Sequence, residues 1–62
     1  MKVKNAIGFT HQNEAGRWKA VLMCSSGKVE TWNHETRTEA EEVAEHHGSK
    51  LGWKRIGDWR RP

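Results

Sequence analysis

The chain has 62 residues, a formal net charge of +3, 34% hydrophobic and 31% charged residues, and one cysteine. A domain this short buries only about 60% of the surface its unfolded chain exposes, which implies a thin core and leaves too little mass for a deep, walled substrate pocket. The lone Cys24 excludes an internal disulfide and C-x-x-C zinc or redox chemistry, and no apolar run approaches the ~20 residues of a membrane span.

Small secreted domains usually carry several disulfides, so one cysteine points to a reducing, cytoplasmic setting. The chain begins with Met without a signal-like apolar stretch, and reads as a complete small open reading frame. A single domain over 1–62 is expected, with 60–62 as a flexible tail. A homodimer would be one way to cover the thin core.

Residues 3–10 alternate loosely and predict a first strand, followed by a polar loop over 11–16 that ends in Gly. Residues 17–24 are the most strand-like run. Trp18, Ala20, Leu22 and Cys24 share one face; Arg17, Lys19, Val21 and Met23 share the other, and the apolar second half predicts a central strand partly covered on both faces. Ser25-Ser26-Gly27-Lys28 is a turn signal, and 28–33 then alternate as a hairpin partner, with Val29 and Thr31 opposed to Glu30 and Trp32. Charge on this short strand suits an edge.

The helix signal is the clearest. Thr36 precedes Glu39, and Thr38 precedes Glu41, each by the three-residue interval of a capping box. Residues 37–47 are rich in Ala and Glu, with Ala40, Val43, Ala44 and His47 on one stripe. Gly48 fits the position just beyond the helix end. Residues 52–59 return as a strand. The expected fold is α+β: a small antiparallel sheet of three to four strands with one helix packed on one face, in the order β-β-β-α-β.

Charge is segregated along the chain. Residues 1–34 sum to +3, residues 35–49 to −4, and residues 50–62 to +4. An anionic partner would be steered to the ends. The last ten residues hold two of the four tryptophans and four of the eleven basic residues. Arg and Trp are enriched at binding hot spots, and together they grip phosphates and stack on bases. Trp18 and Trp53 are assigned to the core, with Trp53 and Ile56 locking the last strand into it. Trp59 is assigned to the exposed surface. The candidate partner-binding residues are Lys54, Arg55, Trp59, Arg60 and Arg61, with Trp32 on the edge strand. Glu35, Glu39 and Glu42 form a secondary acidic face on the helix.

Catalytic and cofactor chemistry find no constellation. His46 and His47 are adjacent on the helix and point about 100° apart, so they cannot easily share an ion. His11 and His34 fall in loops, and no metal-ligand spacing occurs. Cys24 ends an apolar strand and reads as a small buried hydrophobe. Ser25 and Ser26 lack a nucleophile context, and there is no Gly-rich phosphate loop. The chain is expected to be a non-enzymatic binder without metal or cofactor.

Two resemblances bear on the partner. Gly16-Arg-Trp-Lys-Ala-Val, Ser26-Gly27-Lys28 and Thr36-x-x-Glu39-Ala40-Glu41 resemble the three-strand-plus-helix DNA-binding domains of plant ethylene-response factors and the arm-site-binding domains of tyrosine recombinases. Those domains lay the sheet in the major groove; here Val29-Glu-Thr-Trp-Asn33 lacks the basic residues of a reading strand. Trp18-x-x-Val21, Glu35-Thr36-x-x-Glu39-Ala40-x-Glu42-x-Ala44-Glu45 and Gly52-Trp53 before an Arg-rich end are similar to the small RNA polymerase inhibitors of the T-odd podophages. That family binds bacterial polymerase near its DNA channel, using arginines of its last strand and an acidic strip. The resemblance implies that Arg55, Arg60 and Arg61 fill the first role, although their spacing differs. It makes the expected function that of a phage-type regulator of a host factor in nucleic-acid metabolism, bacterial RNA polymerase first. Direct DNA or RNA binding through the basic last strand and tail is the alternative. An oligomeric virion or scaffold component, paired through edge strands, ranks third.

Overall fold

The computed structural model describes residues 3–60. Its elements are β1 (Lys4–Gln12), β2 (Trp18–Cys24), β3 (Val29–His34), α1 (Arg37–Lys50) and β4 (Trp53–Arg55). The β-β-β-α-β order is the one the sequence predicts, and the helix packs on one face of a four-stranded sheet ordered β3-β2-β1-β4. Among the described residues no helix is long and apolar enough to cross a membrane.

The two hairpins are antiparallel, with Gly8 opposite Leu22 and Ala20 opposite Trp32. Asn13 closes the first turn: its carbonyl accepts from the Gly16 N–H and its Oδ1 from the Arg17 N–H, at 3.0 Å each. Expected as antiparallel, the last strand instead pairs parallel to β1, with Lys4 opposite Trp53. The crossover explains this. Two hairpins leave β3 running in the direction of β1, and the helix returns the chain to start β4 in that direction on the far edge. β4 is also shorter than the predicted 52–59. The chain loops out after Ile56 and rejoins β1 at Arg60, whose N–H donates to Gly8 O and whose carbonyl accepts from Thr10 N–H, both at 2.8 Å. Part of the expected flexible tail is therefore pinned; Arg61 and Pro62 lie outside the described residues.

Of the two caps that the sequence offers, Thr36 starts the helix and Thr38 lies inside it. Thr36 has extended backbone and its hydroxyl accepts from the Glu39 N–H. The helix does not end at Gly48. It runs on to Lys50, and Gly52 (φ +81°) supplies the left-handed turn beyond it. Gly48 is a contact residue instead: a Cβ there would lie 2.7 Å from Leu22 Cδ1. The buried stripe is accordingly Ala40, Ala44 and Gly48, while Val43 is half-buried and His47 is exposed.

These small helix residues let α1 approach a sheet face built from Ala6, Ala20, Leu22, Cys24 and Trp53. Trp18, Trp32 and Trp59 pack around that cluster, each half-buried. Trp53 is thus core as expected. Thr10 is fully buried on the same face, and its hydroxyl donates to Glu41 Oε2 on the helix at 2.8 Å. One buried polar side chain so finds its partner across the two layers.

Candidate binding surface

The predicted basic residues divide between the two faces of the sheet, because β4 alternates. Arg55 lies on the helix side and is engaged there. Its Nε and Nη2 donate to Glu45 Oε1, each at 2.7 Å, its Nη1 donates to the Gly57 carbonyl, and its Cζ sits 5.3 Å from the centroid of Trp59. Its side chain is only 23% exposed. Trp59 is not the exposed aromatic that the sequence suggests. It is half-buried against Gly8, where the missing side chain leaves room for the indole. Lys54 and Arg60 are exposed on the opposite face, in register with Asn5 and Phe9.

Trp32 does not join them. It sits on β3, the far edge of the sheet, on the helix side, with its ring stacked on His47 at 5.8 Å. Of the predicted acidic face, Glu35, Glu39 and Glu42 are all exposed, and Glu39 lies 3.9 Å from His34. Glu41 and Glu45 of the same helix are committed internally, to Thr10 and Arg55.

Among the described residues, no element covers the face away from α1. Register assigns its side chains in rows: Asn33, Lys19 and His11; then Thr31, Val21, Phe9 and Arg60; then Val29, Met23 and Ile7, with Ile56 beside them; then Asn5 and Lys54. Met23, Val29 and Ile56 are 44%, 52% and 46% exposed, so Ile56 is not the core anchor that the sequence predicts. Ile56 still pairs with β1, its N–H donating to the Ala6 carbonyl at 2.9 Å, and alternation from Trp53 turns its side chain to the opposite face. A shallow depression of about 350 Å³ opens here, lined by Ile7, Met23 and Ile56 with Asn5, Ser25 and Gly27 at its rim.

Among the described residues, strand register assigns no carboxylate to this face. Glu30 points to the helix side opposite Leu22, five glutamates lie on α1 or just before it, and Glu14 and Asp58 are in turns. The centre is therefore aliphatic with one aromatic ring, and the rim carries Lys19, Lys54, Arg60 and His11. Lys54 and Arg60 are among the basic residues that the sequence marks as partner-binding. The apolar second half of β2 predicts partial cover on both faces, but the one helix packs on the other side and leaves Val21 and Met23 on the face that no described element covers.

Cys24 closes the depression at the strand end. It is a free, buried thiol, as expected, accepting a hydrogen bond from the Ser26 hydroxyl at 3.4 Å. That bond, reinforced by the Ser26 backbone, holds the thiol below its ordinary pKa; burial opposes it but is the weaker effect at the end of a strand. Among the described residues no group of three or more His, Cys, Asp or Glu is placed to hold a metal ion. Comparison with protein-family models, with curated proteins and with solved structures finds no match to this chain.

Proposed function

We propose that this chain is a small non-enzymatic regulator that binds a protein of its host's nucleic-acid machinery, with bacterial RNA polymerase the first partner to test. The supporting observation is the division of charge between layers: exposed glutamates on and beside the helix, and Lys19, Lys54 and Arg60 on the uncovered sheet face. An apolar centre within a polar rim is the usual anatomy of a protein interface. The polymerase itself enters through the sequence resemblance alone.

The test is retention of purified RNA polymerase on the immobilised full chain, together with transcription in its presence. The expected result is retention, fewer transcripts, and loss of both on replacing Lys54 and Arg60 with Glu. Failure to retain polymerase at ~50 mM salt, where charge steering is strongest, would rule that partner out.

The cations of the same face, Lys19, Lys54 and Arg60, favour direct nucleic-acid binding as the second reading. Binding to labelled duplex or single strands would then fall steeply with salt, because phosphate contacts release counterions.

A further inference from the structure

We infer that the uncovered sheet face docks one acidic amphipathic helix of the partner protein, its aliphatic side chains meeting Ile7, Val21, Met23, Val29 and Ile56 and its flanking carboxylates lying over Lys19, Lys54 and Arg60. This inference rests on the protein-binding reading and names the surface and the chemistry of its occupant.

The sheet itself supplies the first argument. Its two faces are unlike. The covered face meets the Ala40, Ala44 and Gly48 stripe of α1 through Ala6, Ala20, Leu22, Cys24 and Trp53, with Trp18, Trp32 and Trp59 packed around them. The uncovered face carries Ile7, Phe9, Val21, Met23, Val29 and Ile56, and no element among the described residues folds over it. Four strands at ~4.8 Å spacing make a face roughly 14 Å across, which accepts one helix of ~10–12 Å diameter. A partner helix here would complete a three-layer arrangement with α1 on the other side.

Charge decides what kind of helix. Lys19 lies beyond one end of the apolar block, Lys54 beyond the other and Arg60 on its flank, and every charged side chain that strand register assigns to this face is positive. An apolar stripe flanked by Asp or Glu matches it; one flanked by Lys or Arg does not. Arg55 takes no part, being held by Glu45 on the other face.

The same features argue against two other occupants. Single-stranded nucleic acid gains most from aromatic platforms, and this face offers Phe9 alone amid aliphatics. A second copy joined face to face would set a wholly cationic rim against another.

The experiment is an NMR titration of the 15N-labelled full chain with three probes: a helical peptide with a Leu stripe flanked by Glu, the same stripe flanked by Lys, and oligo(dT). The expected result is saturable shifts on Ile7, Phe9, Val21 and Met23 with the Glu peptide, at least about tenfold weaker binding of the Lys peptide, and a similar loss on replacing Lys54 and Arg60 with Glu. Met23→Glu should abolish binding. Val29→Glu is a second, more exposed position for the same test, and amide dispersion reports whether each variant is folded.

Shifts on α1 or around Trp32, an equal response to both peptides, no saturable shift, or an oligonucleotide that displaces the peptide would each overturn the inference. The two readings fail separately. Polymerase retained by wild type and by Met23→Glu alike would overturn this surface and leave the regulator reading intact. A Glu peptide seated on this face with no polymerase retained would uphold the surface and overturn the named partner.

Discussion

Trp59 occupies the space that a side chain at Gly8 would need: a Cβ built on Gly8 would fall 2.6 Å from Trp59 Cε3 and 2.9 Å from Arg55 Cδ. This close approach holds the end of the chain against β1 and, by alternation, turns Arg60 to the uncovered face. Gly8→Ala should expel the indole and cost about 1–3 kcal/mol, the usual range for overpacking. Urea unfolding followed by circular dichroism measures the loss. Faster amide exchange at Thr10 and Arg60, whose hydrogen bonds close the bridge, would locate it.

Arg55 and Glu45 make a contrast of magnitudes. The pair is partly exposed, with side chains 23% and 46% accessible, so Glu45→Gln should cost under about 1 kcal/mol. Arg55→Ala should cost more, because it also removes the bond to the Gly57 carbonyl and the cation beside Trp59, about 0.5–1 kcal/mol each. Denaturant midpoints for the two variants give the comparison. Equal costs would mean that the guanidinium contributes only its ion pair.

Thr10 is fully buried and its hydroxyl donates to a carboxylate, Glu41 Oε2. Bonds to charged groups are worth about 1.5–3 kcal/mol, and Thr10→Val should lose stability in that range. Glu41→Gln keeps an acceptor for the hydroxyl and should cost less. Reversal of that order in urea unfolding would show that the charge of Glu41, which also lies 3.8 Å from Arg37, matters more than the bond.

The helix start was legible because its determinants are local: Thr36 and the Glu39 N–H are three residues apart. The faces of β2 were legible because pleating alternates side chains whatever lies beyond. Gly48 was misread as a terminator because the contact that decides its role, with Leu22, joins residues far apart in sequence. Trp59 was misread for the same reason, since nothing next to it says that Gly8 will lie beneath. The charges of Lys54, Arg55 and Arg60 were visible, but not their division between faces. That division follows from the pairing of β4 with β1, a long-range event.

Gly48 allows two opposing effects to be weighed. In an exposed helix interior, Gly→Ala gains roughly 0.5–1 kcal/mol of backbone propensity. Here the added methyl meets Leu22 Cδ1 at 2.7 Å, and Leu22 is 2% exposed with little room to turn. Overpacking at about 1–3 kcal/mol should win, so Gly48→Ala destabilises. Adding Leu22→Val, which shortens the opposing side chain, should make the alanine less harmful, and a double-mutant cycle by urea unfolding reads that coupling.

Ser26 and Cys24 give the fold a pH dependence whose sign is fixed. The Ser26 hydroxyl bond is the largest of the effects that hold the folded thiol below its ordinary pKa of 9.0. The fold thus favours the thiolate. Between the folded and unfolded values the unfolded chain binds more protons, so stability rises with pH there. The contribution is complete above the unfolded value and is lost as pH falls through the folded one. Ser26→Ala removes the largest cause and should flatten this rise, leaving the backbone hydrogen bond of residue 26, the weaker Ser25 hydrogen bond and the Lys4 charge to lower the pKa. Subtracting the unfolding free energies of the variant from those of wild type at each pH cancels the histidines and carboxylates that both share. The difference should grow towards alkaline pH. A difference that is constant with pH would show that Ser26 supports the turn without favouring the thiolate.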